Sequence, residues 1–246
     1  EQTANLEFAS VEQLDSLFDR LQSWQQKSQQ PTEEDWRSRL PLPSWLKPQN
    51  PNPANLVTLG DYWLAAAIEQ NLIQPLDPAQ MAQWSQLPSR WQELVRRNKA
   101  GQFDPQGDVW AAPYRWGHTV IAYNRDRFRS LNWQPQDWSD LWREELRDRI
   151  SLPNHPREVI GLTLKHLDES YNTENPNQVP DLASELRRLH QQVKLYSSDT
   201  YLQPLILGDT WLAVGWSNDI ISAMQRHRQI AAVIPQSGTA LWADLW

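Results

Sequence analysis

The sequence predicts an α/β fold, because short apolar runs typical of strands alternate with amphipathic helical patterns along most of its 246 residues. The first helical pattern extends from Val11 to Trp24, with apolar residues at steps of three and four. Ahead of it, residues 6–9 predict a short strand, and Ser10 opens a capping box. Prolines interrupt the segment that follows, so only short helical turns, such as residues 33–39, are expected there.

Beyond residue 54 the same alternation continues to the end of the chain. Apolar runs predict strands at residues 55–59, 108–112, 119–123, 150–152, 211–216 and 230–234, with residues 113–118 as a loop between two of them. Helices are expected at residues 62–70 with Asp61 as the cap, 138–147, 156–167 with Pro156 in the first position, a segment capped by Asp181, and 219–226.

Composition excludes several classes of function. The chain has 23 basic and 30 acidic side chains, a formal charge of −7, which argues against nucleic acid as a partner and favours cationic ones. It has no cysteine, so disulfides, thiolate metal sites and cysteine nucleophiles are excluded. No glycine-rich nucleotide loop, nucleophile elbow or zinc-protease motif occurs. The sequence therefore predicts no cofactor, no metal and no catalytic residue.

Acidic and aromatic side chains recur together where strands lead into helices. Aromatic faces and carboxylates are the groups that hold organic ammonium ions. The pairs are Asp61 with Tyr62, Tyr114 with Trp116, His155 with Glu158, Trp216 with Asp219, and Trp242 with Asp244. A structural alternative stays open at each position: the two acids at helix starts can act as caps only, and the tryptophans can be core residues.

The remaining histidines carry less information about function. His118, like His155, is expected in a loop near a strand end, where a local hydrogen bond is the alternative to a role in a site. His166 and His190 lie in expected helices beside basic residues and are interpreted as surface residues.

Several of these segments resemble the periplasmic spermidine/putrescine-binding proteins of ABC importers. The resemblance covers most of the chain after residue 55, and its most specific parts are Pro113–Thr119, Arg157–Val159 and the Trp242-x-Asp244 pair. It implies a type II periplasmic binding protein, with two α/β lobes that are joined by hinge strands and close over a ligand in the cleft. The first lobe would be residues 1–116 with 239–246 returning to it, and the second lobe residues 117–238.

The resemblance also implies a function. The chain would be a non-enzymatic solute-binding protein in the periplasm or at the outer face of the cell membrane, delivering a polyamine or related small organic cation to an ABC permease. Glu158 and Asp244 would bind amino groups, and the tryptophans would stack on the carbon chain. The residues implied at the ligand are Tyr62, Trp116, His155, Glu158, Trp216, Trp242 and Asp244.

Three departures from that family leave alternatives open. His155 stands where the polyamine binders have a second carboxylate, so a shorter diamine, an amino acid or a modified amine fits the remaining acids as well. Arg115 adds a cation that could pair with a ligand carboxylate. The family continues beyond both ends of this chain, which is expected to be incomplete. A scaffold or assembly factor with a degenerate cleft is one alternative, and an enzyme using Glu158 and His155 as an acid–base pair is another.

Overall fold

The computed structural model describes residues 14–29 and 54–246, and these residues fall into two units. Unit 1 comprises the described residues up to Arg115 together with Ala243–Trp246, and unit 2 comprises Trp116–Trp242. The chain passes from one unit to the other within two strands, Pro113–Asn124 and Leu241–Leu245.

Helices and strands alternate through both units, as the sequence predicts. The helices are α1 (Leu14–Gln29), α2 (Leu64–Glu69), α3 (Ser89–Leu94), α4 (Arg125–Leu131), α5 (Pro156–His166), α6 (Leu182–His190), α7 (Gln203–Leu207) and α8 (Ser217–Arg226). The strands are β1 (Leu59–Gly60), β2 (Arg96–Arg97), β3 (Asp108–Val109), β4 (Pro113–Asn124), β5 (Ile150–Leu152), β6 (Val193–Tyr196), β7 (Leu212–Trp216), β8 (Ile230–Val233) and β9 (Leu241–Leu245). Short 3₁₀ segments lie at Asp61–Trp63, Pro78–Gln80, Trp84–Gln86, Trp138–Trp142, Glu144–Leu146 and Pro176–Gln178.

Unit 1 is built around the antiparallel pairing of β1 with β9, in which Leu59 lies opposite Leu245. A second antiparallel pair, β2 with β3, lies on the same stretch of chain as α3. Alternate residues of β9, Ala243 and Leu245, are buried in a core with α2 and α3. Helix α1 adds a second core through Phe18, whose ring stacks on Trp63 at 4.5 Å.

Unit 2 contains a mixed sheet in the order β8–β4–β7–β5–β6. Strand β4 is antiparallel to both of its neighbours there, and β5 is parallel to β6 and β7. Since side chains alternate along a strand, β4 contributes to a core on each face. Ile121 packs with Trp138 and Val214 on one face, while Val120 and Ala122 pack with Tyr201 on the other. The sheet is therefore covered on both sides.

The loop that precedes β9 is bound to the loop that precedes the Trp138–Trp142 segment. Gln236 N donates to Gln136 O at 3.1 Å, and Ser237 Oγ donates to Asp137 Oδ1 at 2.6 Å. Trp138 Nε1 completes the set by donating to the Gly238 carbonyl at 2.8 Å. These bonds fix the path of the chain into β9.

Several predicted elements are confirmed. Helix α1 continues the apolar pattern through Trp24, strand β5 has the predicted bounds, and α5 begins with Pro156 in its first turn. Helix α6 and strands β7 and β8 also lie where the sequence places them. The strand expected at residues 6–9, the capping box at Ser10 and the turns at 33–39 lie outside the described residues.

Two predicted elements have a different structure. The helix expected at residues 138–147 is a pair of 3₁₀ segments, because Asp140 accepts bonds from two preceding backbone amides and the chain is extended at Arg143. The loop expected at residues 113–118 is part of the continuous strand β4, whose proline stands at its first position, where a strand tolerates it. His118 is consequently a strand residue, and its N–H donates to Ser217 Oγ at 3.1 Å.

Other local predictions were also wrong. The strand expected at residues 55–59 is reduced to β1, because only Leu59 and Gly60 have partners on β9. Asp61 is the first residue of a 3₁₀ segment and not its cap. Asp181 precedes α6 with φ at 63°, and its side chain makes no capping bond.

His166 is not a surface residue. It stacks on Trp142 at 3.9 Å, and its Nε2 lies 3.4 Å from Glu185. The contacts are made because α5 and α6 pack on the 3₁₀ segment that contains Trp142.

Candidate functional site

The carboxylate of Glu158 is the most enclosed acidic group of the candidate site. Glu158 lies in the first turn of α5, where the N-terminal end of the helix dipole favours a negative charge. The residue is only 6% exposed. Two hydroxyls donate to the same oxygen, Oε2: Thr119 Oγ1 at 2.7 Å and the Tyr171 hydroxyl at 2.7 Å. One carboxylate oxygen is thus held firmly in place.

The other oxygen, Oε1, is arranged differently. Within residues 14–29 and 54–246 no hydrogen-bond donor reaches it, and no lysine or arginine forms an ion pair with Glu158. A buried carboxylate is normally paired, because removing a charge from water costs free energy. Glu158 therefore has the electrostatics of an anionic group that can accept a cation at Oε1.

Tyr171 reaches Glu158 because the helix has a glycine at the point of contact. A Cβ at Gly161 would lie 2.1 Å from the Tyr171 ring, so no larger residue fits there without displacing the ring. Burial, followed by the charge of Glu158, raises the pKa of Tyr171 well above its ordinary value. The hydroxyl consequently stays protonated and remains a donor to the carboxylate.

Three aromatic rings lie at the same end of the unit 2 sheet. Trp216 ends β7 and is paired with Thr119 of β4, the residue that binds Glu158. Its ring has His155 on one side, with centroids 6.1 Å apart, and Trp242 on another, at 5.7 Å. Both contacts are edge-to-face, with interplanar angles of 88° and 68°. We call His155, Glu158, Trp216 and Trp242 the Glu158 cluster.

Gly117 allows Trp242 to approach the sheet. A Cβ at this position would lie 2.6 Å from Ser217 Oγ and 2.7 Å from the Trp242 ring. The absence of a side chain on Gly117 is therefore a condition for the position of Trp242 in the cluster.

Two further candidate residues, Tyr62 and Asp244, come together in unit 1. Asp244 lies opposite Gly60 in the β1–β9 pair, and a Cβ on Gly60 would lie 2.7 Å from Tyr62 Cε1. Paired residues of neighbouring strands project to the same face, so the Tyr62 ring covers the position beside Asp244.

The carboxylate of Asp244 has a cationic partner within the protein. Arg115 donates from Nε to Asp244 Oδ2 at 2.7 Å, and its Nη2 lies 2.6 Å from the same oxygen. The Asp244 side chain is 16% exposed, whereas that of Arg115 is 53% exposed. The sequence predicts an amino group of the ligand at Asp244 and raises a ligand carboxylate as a partner for Arg115, but here the two residues bind each other.

Sequence reasoning missed the two residues that donate hydrogen bonds to Glu158, Thr119 and Tyr171. Neither belongs to a motif, and both act through a single hydroxyl. The one signal that could have indicated Tyr171 is Gly161, a helical glycine three residues after Glu158. Alternation along β4 places Trp116 on the face of the strand opposite Gly117.

Within residues 14–29 and 54–246 no three His, Cys, Asp or Glu side chains are grouped as metal ligands would be. In the same part of the chain, no helix has both the length and the apolar character needed to cross a bilayer.

Residues 52–246 match the family described as bacterial extracellular solute-binding protein. The chain belongs to that family. Its relatives include the spermidine/putrescine-binding periplasmic protein of Escherichia coli, which is 28% identical over 199 residues. That match covers 81% of this chain and 54% of the relative, so the chain spans about half the length of the curated relatives it matches.

Solved structures of this family give the same fold. The spermidine/putrescine substrate-binding protein of Streptococcus pneumoniae matches with a TM-score of 0.58 and 26% identity, over 76% of this chain and 55% of that one. A lipoprotein of Treponema pallidum matches with a TM-score of 0.62 and 19% identity, over 93% and 70%. The fold is that of the type II periplasmic binding proteins, and the relatives are named as solute-binding proteins, not as enzymes.

Proposed function

We propose that this chain belongs to a periplasmic receptor that binds a polyamine or related small organic cation and delivers it to an ABC permease. The observation that carries the proposal is Glu158, a buried carboxylate that has two hydroxyl donors on one oxygen and no cationic partner among the described residues. An ammonium group at Oε1 supplies the missing positive charge and forms a charge-assisted hydrogen bond.

The rings around Glu158 suit the rest of such a ligand. Methylene groups next to an ammonium are apolar, and they are favoured against aromatic faces that exclude water. Trp216 and Trp242 offer such faces beside His155, and their π-systems also attract the cation itself. The proposed ligand is therefore an alkylamine, held by its charged end at Glu158 and by its carbon chain at the tryptophans.

Tyr62, Asp244 and Trp116 enter the proposal through the resemblance to the polyamine binders. We propose that Tyr62 and Asp244 contribute from unit 1 and that units 1 and 2 correspond to the two lobes implied by the sequence. The names of the relatives in Escherichia coli and Streptococcus pneumoniae support a polyamine ligand and an ABC transporter. The name of the Escherichia coli relative, a periplasmic protein, supports a location outside the cytoplasmic membrane.

The test is a titration of the 246-residue chain with putrescine, spermidine and arginine, in which binding is measured by calorimetry and by intrinsic fluorescence. We expect saturable binding of at least one amine and a change in tryptophan emission, because Trp216 and Trp242 belong to the Glu158 cluster. A receptor returns its ligand unchanged, so the amine is then recovered and analysed by mass spectrometry.

Two outcomes would contradict the proposal. Chemical conversion of the amine would favour an enzyme that uses Glu158 and His155. Absence of any amine binding, together with stable co-purification of a protein partner, would favour a scaffold or assembly factor.

A further inference from the structure

The two side-chain donors of Glu158 share one oxygen of its carboxylate. The hydroxyls of Thr119 and Tyr171 each lie 2.7 Å from Oε2. An ionised carboxylate has about two lone pairs on each oxygen. The protein therefore saturates Oε2, and the capacity of Glu158 to accept further hydrogen bonds is concentrated at Oε1.

The fold of unit 2 holds both donors in place. Thr119 is fully buried in strand β4, and the Tyr171 ring packs against the backbone at Gly161. The Tyr171 hydroxyl also lies 3.2 Å from the carbonyl oxygen of Glu158, in the first turn of α5. A ligand would have to displace a packed side chain to reach Oε2.

Oε1 is the oxygen that a ligand can reach. No donor from the described residues binds it, and it is not one of the polar atoms that are sealed from solvent without a partner. This oxygen is consequently in contact with solvent, although Glu158 as a whole is buried.

Organic cations differ in the number of carboxylate oxygens that they use. An ammonium group is a compact charge that can donate to a single oxygen, whereas a guanidinium group is a planar fork that pairs with both oxygens in parallel. At Glu158 the fork can use only Oε1, because the two hydroxyls occupy Oε2.

We infer that Thr119 and Tyr171 make the site specific for an alkylammonium group over a guanidinium group. The inference rests on the proposed function, which it refines by naming the cationic group at Glu158. All the residues that carry it belong to unit 2. A guanidinium group also stacks on tryptophan, but this contribution is the same in the wild type and in variants of the two donors, so it cancels when they are compared.

The test compares putrescine with 1,4-diguanidinobutane, which has the same carbon chain and a guanidinium group at each end. Both compounds are symmetric, so Glu158 meets the same cationic group whichever end enters the site. We expect the wild-type chain to bind putrescine more tightly in calorimetric titrations. The opposite order would contradict the inference.

Tyr171→Phe and Thr119→Val each remove one hydroxyl and free a lone pair of Oε2 with little change in shape. Each substitution is expected to shift the ratio of the two dissociation constants toward the guanidinium compound by about tenfold, the scale of one hydrogen bond to a charged group. Thr119→Ser retains the donor and is expected to retain the wild-type ratio.

Thr163→Val is the matched control. Thr163 is as fully buried as Thr119 and lies in the same helix as Glu158, but its hydroxyl donates to the Val159 carbonyl at 2.7 Å. The substitution removes a comparable hydroxyl and is expected to leave the ratio unchanged. Thermal unfolding of each variant shows that the compared chains are folded.

The outcomes separate this inference from the proposed function. If the wild-type chain binds putrescine but Tyr171→Phe and Thr119→Val leave the ratio unchanged, the role of the hydroxyls is wrong and the proposed function stands. If Thr163→Val shifts the ratio as much as Thr119→Val, the contact with Glu158 is not the determinant and the inference is again wrong. If the wild-type chain binds no amine, the proposed function fails and the inference fails with it.

Discussion

Replacing Glu158 with glutamine tests the central element of the proposed site with minimal change in shape. The hydroxyls of Thr119 and Tyr171 both donate to the position of Oε2, so the amide oxygen of the glutamine takes that position. The amide NH₂ group then occupies the position of Oε1. A donor with partial positive charge replaces the acceptor that the ligand ammonium requires.

The magnitude follows from the type of interaction lost. A hydrogen bond to a charged group contributes about 1.5–3 kcal/mol, which corresponds to a roughly 10- to 150-fold increase in dissociation constant. We expect the upper part of this range, because the 6% exposure of Glu158 limits compensation by water and the amide faces the cation. Isothermal titration calorimetry with the amine that binds the wild-type chain measures the change directly.

Glu169→Gln is the control for this experiment. Glu169 is exposed and lies shortly after the end of α5, so the substitution changes the net charge by the same amount outside the cluster. We expect it to bind the amine as the wild type does. Equal affinities of Glu158→Gln and Glu169→Gln would refute the assignment of Glu158 as the ammonium acceptor.

Three further predictions concern the residues around Glu158. Trp242→Ala is expected to remove most of the ligand-dependent fluorescence change, and a full change in this variant would place the reporting ring elsewhere. Gly117→Ala is expected to weaken amine binding, because the added methyl group displaces the Trp242 ring. Gly215→Ala, whose Cβ would lie 1.9 Å from a tyrosine ring in the core, is expected to lower the free energy of unfolding by about 1–3 kcal/mol. Identical binding and melting profiles for the two variants would contradict this difference. The raised pKa of Tyr171 means that the folded chain holds the hydroxyl proton more tightly than the unfolded chain does. The contribution of this proton to the free energy of unfolding is therefore fully present below the unfolded-state pKa of about 10 and is lost as pH rises above it. Tyr171→Phe is therefore expected to flatten the fall of the urea midpoint between about pH 9.5 and 11, and an unchanged slope would show that this tyrosine does not contribute to it.

Local signals in the sequence were sufficient for the position of Glu158 but not for its environment. Pro156 sets the backbone angle at the start of α5, and an acid in the same first turn is favoured by the helix dipole, so both follow from neighbouring residues. The donors to Glu158 come from residues 39 and 13 positions away. No local pattern encodes such contacts, because the fold alone brings the hydroxyls to the carboxylate.

The same reasoning explains why the partner of Asp244 was not predicted. Arg115 and Asp244 are 129 positions apart, and the sequence shows Arg115 only as a cation beside Trp116. The two residues pair because β4 and β9 are neighbours in the sheet. The sequence predicts a loop at residues 113–118, and a loop there would not place Arg115 beside β9. The aromatic residues were easier to anticipate, since Trp216 ends an apolar run that predicts a buried strand.

The bonds between residues 136–138 and 236–238 join the two loops at a constant offset of one hundred positions. Each residue of the first loop is matched to one residue of the second, as in a parallel ladder. An insertion or deletion in one loop alone would break this register and shift the start of β9. In an alignment of related chains, length changes in these two loops are accordingly expected to be absent or to occur in both at once.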